Sequence, residues 1–109
     1  MKRYGSVIAL KGDRVEEYRR LHADVWPGVL AMISACHIRN YSIYLREPEN
    51  LLFSYFEYHG DDFEADMARM AADPETRRWW NVCIPSQIPL EPRGEGEHWA
   101  MMEEVFHHD

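Results

Sequence analysis

Tyr18 and His22, a phenol and an imidazole four residues apart, are the side chains of this sequence best suited to proton chemistry. On a helix, residues i and i+4 lie one above the other on the same face. Trp26 and Pro27 follow shortly after. Proline has no N–H to return to the carbonyl of Ala23, and it disfavours helical angles at Trp26. The stretch Glu17 to Pro27 therefore predicts a helix that ends or kinks just beyond His22, leaving a polar pair beside a tryptophan. Such a pair makes one wall of a polar pocket, or only the half-buried rim of an amphipathic helix. Spacing alone allows both.

Trp79-Trp80 is the second unusual feature. Adjacent helical residues diverge by about 100°, so the two indoles cannot enter one core together. One buries while the other lines a cavity with its N–H seeking a partner, or both anchor a small core from different sides. With Tyr18, His22, Trp26 and Tyr41 they form an aromatic set bearing hydroxyls and an imidazole. Flat apolar faces with a few directed polar groups suit a sugar ring, whose C–H face is apolar and whose edge is hydroxylated. Within the set, His22 is the group that exchanges protons near neutral pH, with an ordinary pKa of about 6.5.

Other chemistries find no footing. There is no Gly-rich phosphate loop, no H-E-x-x-H and no nucleophile elbow. His107-His108 would point to opposite sides of a strand, a poor chelate. His37 beside Cys36 suits a helix end, where a partly charged imidazole is favoured. Cys36 and Cys83 lack the spacing of a metal or redox motif. None of these patterns calls for a metal or a cofactor.

The chain must fold as one domain, residues 1–109, large enough for a single core. Hydrophobic residues make up 46% and aromatics 13%, which marks a globular protein. Twelve basic against 19 acidic residues give a formal charge of -7. That repels phosphate backbones and anionic lipid, so neither nucleic acid nor a membrane is an expected partner, and a neutral or cationic small ligand fits better. Met1-Lys2-Arg3-Tyr4-Gly5 holds no apolar signal core, and no apolar run reaches membrane length. The cytoplasm is the expected compartment, with both thiols reduced.

The elements that must position these groups follow in order. Tyr4 to Leu10 reads as a strand, and Gly12-Asp13 opens a helix with Asp13 as N-cap and Glu16 at the capping-box position. Val15, Tyr18, Leu21, His22 and Val25 mark one side of it. Pro27 starts a second helical piece running to about Cys36-His37. From Ile38 to Arg46, Tyr41, Ile43 and Leu45 alternate with Asn40, Ser42 and Tyr44, and Leu51 to Tyr58 forms a hairpin with that strand across Glu47-Pro48-Glu49-Asn50. Asp61 with Glu64 begins another helix, whose inward stripe is Phe63, Met67 and Met70. Asp73 caps a short helix with Pro74 in its first turn, carrying Arg77 to Trp80. Ile84 to Glu97, with three prolines and two glycines, reads as a long loop, the kind that covers a site or meets a partner. Trp99 to His107 alternates as the last strand.

Strand, helix, strand, strand, helix, strand is the ferredoxin-like split βαβ arrangement. This α+β fold is a four-stranded antiparallel sheet with helices on one face. Leu51 to Tyr58, however, is apolar on both sides. Helices cover only one face, so the other predicts a homodimer packed sheet on sheet, a dimeric α+β barrel.

Taken together, the residues resemble the L-rhamnose mutarotase (L-rhamnose 1-epimerase) family. The matching pieces are Glu17-Tyr18 with His22 and Val25-Trp26-Pro27, then Asn40-Tyr41-Ser42-Ile43-Tyr44-Leu45. Leu51-Leu52-Phe53, Ala72-Asp73-Pro74, Trp79-Trp80 and Glu104-Val105-Phe106 follow in order across nearly the whole chain. The resemblance implies a cofactor-free dimeric isomerase that interconverts the α and β anomers of a free deoxy-sugar. It implies His22 as proton donor, with Tyr18, Tyr41, Trp79 and Trp80 contacting the sugar. Leu21 and Gly28 stand where the family usually has Arg and Glu, and Asn81 to Gly96 replaces a commoner methionine-bearing helix. These departures leave L-rhamnose, L-fucose and other deoxy-sugars open as substrates.

Small dimers of this topology also include cofactor-free monooxygenases and ligand-binding modules, and fold alone does not decide between them. An oxygenase would hold a flat phenol in the aromatic cavity with His22 as base. A binding dimer would leave Tyr18 and His22 packed away from solvent.

Overall fold

The computed structural model describes all 109 residues. Strand β1 (Lys2–Leu10) is followed by a 3-10 turn (Gly12–Arg14), then helices α1 (Val15–His22) and α2 (Pro27–Ala35). Strands β2 (Ile38–Arg46) and β3 (Leu51–Tyr58) form the hairpin, and α3 (Phe63–Ala72) and α4 (Pro74–Cys83) follow. A 3-10 turn at Ile84–Ser86 leads into the short strands β4 (Gln87–Ile88) and β5 (Ala100–Met102). The sheet is antiparallel, ordered β2-β3-β1, with β4 and β5 both on the free edge of β1. This is the expected α+β topology, with the fourth strand broken in two.

That break corrects two sequence expectations. Ile84 to Glu97 is not wholly a loop: Gln87 and Ile88 pair with Leu10 and Ala9. The last strand is not Trp99 to His107 but three residues, Ala100 to Met102, opposite Val7 to Gly5. Pro89 has no N–H for the ladder, so the edge is abandoned there and rejoined eleven residues later. Beyond Met102 the ladder stops, although an Arg3–Glu104 ion pair at 2.7 Å extends the contact. Alternation without a paired neighbour does not make a strand: Val105 and Phe106 remain 87% and 80% exposed.

Helix starts follow local chemistry. Asp73 accepts from the Thr76 backbone N–H and hydroxyl, both at 2.9 Å, so α4 begins as expected. The cap of α3 is Asp62, one residue later than Asp61, and it accepts from Ala65 N–H. Neither Asp13 nor Glu16 caps α1. The 3-10 turn instead ties Arg14 N–H to the Lys11 carbonyl, and Glu16 pairs with Arg19. Trp26 is extended (φ -59°, ψ 135°) before Pro27, which separates α1 from α2.

One sheet face carries the helices. Ile8, Leu10 and Leu52 pack against Val15 and Tyr18 of α1, Val29 of α2, and Trp79 and Cys83 of α4. A smaller cluster joins Ile38 and Tyr58 to Cys36 and Met70. On the opposite face Val7 lies across from Phe53, which in turn lies across from Tyr44; Tyr44 is 66% exposed. No helix is long and apolar enough to cross a membrane.

Candidate active site

α1 places Tyr18 and His22 on its sheet-facing side. Their rings stack at 4.0 Å with 19° between planes. The cleft beside them encloses about 280 Å³. Leu10, Ile43, Leu45 and Leu52 of the sheet floor it, and Tyr18 and His22 form its wall. An apolar floor below one imidazole and one phenol is the composition of a small-ligand site.

The histidine is oriented by its own helix. His22 Nδ1 lies 2.9 Å from the Tyr18 backbone carbonyl. A carbonyl only accepts, so Nδ1 carries the hydrogen and Nε2 is left as the nitrogen that exchanges protons. Burial holds the His22 pKa below its ordinary value, partly offset by that backbone bond. Trp79 meets the imidazole edge-on at 5.1 Å and Trp26 meets Trp79 at 5.1 Å. The helix break at Pro27 thus returns Trp26 to brace the tryptophan that braces His22.

Tyr18 is 5% exposed, and burial raises its pKa above the ordinary phenol value. Its oxygen accepts from the Gln87 amide at 3.3 Å, and Gln87 Oε1 lies 2.8 Å from His98 Nε2. Sequence reasoning missed both partners because they lie within or just past the stretch read as loop. The available signal was Ser86-Gln87-Ile88 held between Pro85 and Pro89.

Tyr41 reaches the same side of the sheet through a β-bulge. Arg39 pairs with Glu57 and Ser42 with Tyr55, so Asn40 and Tyr41 together oppose Phe56. Asn40 takes φ 52° and its amide donates to Glu57 at 2.9 Å. The bulge brings Tyr41 into line with Ile43 and Leu45, its ring 5.5 Å from Phe56. Desolvation raises the Tyr41 pKa, with a smaller contribution from the Cys83 thiol, although 43% of the residue remains exposed. The same thiol acts on Tyr18 and is itself pushed up to about 11 by burial.

The two tryptophans divide as adjacent helical residues must. Trp79 is buried at 6% exposure behind His22, while Trp80 is half-buried at the margin of both core clusters. Tyr18 and His22 line the cleft; Tyr41, Trp79 and Trp80 are not among its lining residues. Of the residues that distinguish this chain, Leu21 packs on the larger core. Gly28 touches the Glu75 carboxylate, which occupies the place of a side chain there.

A model of the L-rhamnose mutarotase family matches residues 3–108. The chain is 33% identical over 85 residues to the L-rhamnose mutarotase of Bacillus subtilis, covering 78% of this chain and 79% of that one. It is 35% identical over 107 residues to that of Yersinia pestis, covering 98% of both. Its fold superposes on a crystal structure of an L-rhamnose mutarotase from Formosa agariphila with a TM-score of 0.78 over the whole of both chains, at 20% identity. The match spans the sequence from β1 to the C-terminal tail, and the chain belongs to the L-rhamnose mutarotase family.

Proposed function

We propose that this protein is an isomerase that interconverts the α and β anomers of L-rhamnose, with His22 as the acid and base. The observation that carries this reading is the geometry of His22: Nδ1 fixed to the Tyr18 carbonyl, Nε2 free, and an apolar cleft alongside. Ring opening requires that the ring oxygen gain a proton while the anomeric hydroxyl loses one. Protonated Nε2 gives its proton to the ring oxygen as the bond from that oxygen to the anomeric carbon breaks. The anomeric hydroxyl releases its proton to solvent, forming the aldehyde. After rotation, the freed hydroxyl adds to the other face of the carbonyl, Nε2 takes its proton back, and the carbonyl oxygen regains a proton from solvent to become the new anomeric hydroxyl. The lowered pKa makes the imidazolium a stronger acid.

Of the four residues expected to contact the sugar, Tyr18, Tyr41 and Trp80 keep that role in this proposal, and Trp79 takes another. Tyr18 and Tyr41 offer hydroxyls to the sugar edge. Trp80 offers a flat apolar face, and Trp79 contributes chiefly by bracing the imidazole. The monooxygenase and pure binding-module readings are not favoured, since the family match runs over nearly the whole chain.

The working unit is a homodimer joined through the helix-free face of the sheet. Val7, Leu51, Phe53, Tyr55 and the exposed Tyr44 support this, because no helix covers them. Two buried free thiols, Cys36 and Cys83, suit a reducing compartment, and the cytoplasm is the assigned location.

Saturation-exchange NMR on L-rhamnose at anomeric equilibrium tests the function. Micromolar protein should speed transfer between the α and β anomeric signals in proportion to its concentration. Exchange no faster than in protein-free buffer at the same pH would overturn the reading.

A further inference from the structure

Resting on the mutarotase reading, we propose that Gln87 and His98 are positioning residues that set the Tyr18 hydroxyl as a hydrogen-bond donor to the sugar. Neither residue hydrogen-bonds to His22, and neither follows from the aromatic set of the cleft. They come from the interrupted edge strand. Gln87 opens β4, where its backbone is registered against Leu10 and the Ser86 carbonyl accepts from Lys11 N–H at 2.9 Å. His98 lies at the far end of the excursion, two residues before β5 re-enters the sheet. Both are half-buried.

The polarity of the chain follows from its members. His98 Nε2–H donates to Gln87 Oε1 at 2.8 Å, which turns the Gln87 amide nitrogen toward Tyr18. That nitrogen donates to the phenol oxygen at 3.3 Å. The Tyr18 oxygen is thereby occupied as an acceptor, and this is the one hydrogen bond its hydroxyl makes, so its own hydrogen is unclaimed. A hydroxyl has a single hydrogen, so that hydrogen is left for a substrate oxygen in the cleft. Burial of the phenol keeps it protonated. In this way the long excursion from Pro89 to Trp99 carries His98 back to the Gln87 side chain that contacts Tyr18.

A double-mutant cycle tests the relay in the intact protein. Gln87→Glu keeps the length and shape of the side chain but replaces a donor with a carboxylate, which would accept the Tyr18 hydrogen and withdraw it from the sugar. The rate kcat for L-rhamnose exchange should fall about tenfold, the size of one hydrogen bond, with KM within about twofold. In a Tyr18→Phe background the same change should have almost no further effect, because the relay acts only through that hydroxyl. His98→Gln, which retains an N–H donor, should stay near the parent rate while His98→Phe falls with Gln87→Glu. Equal losses from Gln87→Glu in both backgrounds, or parent-like exchange in His98→Phe, would overturn the proposal. The side-chain amide NMR signals of Gln87 read the chain without any activity. They should shift in both Tyr18→Phe and His98→Phe, and unmoved signals in both would again overturn it. A parent protein that failed to exchange anomers would remove the mutarotase reading, while the amide signals would still decide the relay.

Discussion

His22 is fixed by the residue on which it stacks: its ring lies 4.0 Å from that of Tyr18, and its Nδ1 bonds to the backbone carbonyl of the same tyrosine. One helical turn thus sets both the tautomer and the plane of the imidazole. Tyr18 holds His22 through its carbonyl, and in the proposed mechanism contributes separately through its hydroxyl to the sugar.

Tyr18→Phe separates them. It keeps the carbonyl, the ring and the stack, and removes only the hydroxyl. Exchange on L-rhamnose should fall by about tenfold, the effect of one hydrogen bond. A loss as large as that from replacing His22 would mean that the phenol itself transfers the proton.

The tryptophans should part company when truncated. Trp79 is buried against His22 and Trp26, so Trp79→Ala should cost about 3 kcal/mol or more of stability and lower kcat as the imidazole loses its brace. Trp80→Ala, from a half-buried site, should melt closer to the parent and raise KM for the sugar. Thermal melts beside steady-state exchange kinetics measure both. An unchanged KM in Trp80→Ala would remove that residue from the sugar contact.

Activity and stability should respond to pH in opposite senses. Burial holds the His22 pKa below about 6.5 in the folded protein. With His22 as the proposed acid, the imidazolium is the active form, so enzyme-catalysed exchange should rise as pH falls through that lowered pKa, after correction for the buffer rate. The unfolded chain binds this proton more tightly than the folded one. The stability contribution of neutral His22 is therefore present above about pH 6.5 and is lost as pH falls through the folded pKa. Titrating kcat and melting temperature between pH 4.5 and 8.5, a range of about two units either side of 6.5, checks both signs. An exchange rate that climbs with pH across this window would contradict the acid role.

Much of this was legible in the chain. Pro27 after Trp26 ended α1, Asp73-Pro74 opened α4, and both hairpin strands fell where the apolar pattern and the intervening turn placed them. These signals are local, carried by a missing N–H, a capping carboxylate or a two-residue period. The misreadings were non-local. Whether Gln87 belongs to a loop or a strand depends on the edge of β1, far away in sequence, and no nearby residue encodes that pairing. The Asn40 bulge was likewise hidden, because the alternation of Tyr41, Ile43 and Leu45 reads the same with or without it. Tyr18 and His22 were visible as a pair, but their Gln87–His98 partners required the fold.

The uncovered sheet face bears on assembly. Sedimentation at micromolar concentration should give about twice the 13.0 kDa chain mass. Phe53→Asp, placed between Val7 and Tyr44 on that face, should shift the protein to monomer. A parent that sediments as a folded monomer would contradict the sheet-on-sheet assembly.

The most direct test of the central claim is His22→Asn, assayed by saturation exchange on L-rhamnose beside the parent protein. Asparagine is polar and smaller, but its amide neither gives nor takes a proton near neutral pH. Replacing the acid should lower exchange by about a hundredfold or more, the usual range for general acid–base catalysis. Stability should move by only about 1 kcal/mol. If the Asn variant melts like the parent and still exchanges anomers within about tenfold of its rate, too small a loss for a general acid, His22 is not the acid and this mechanism is wrong.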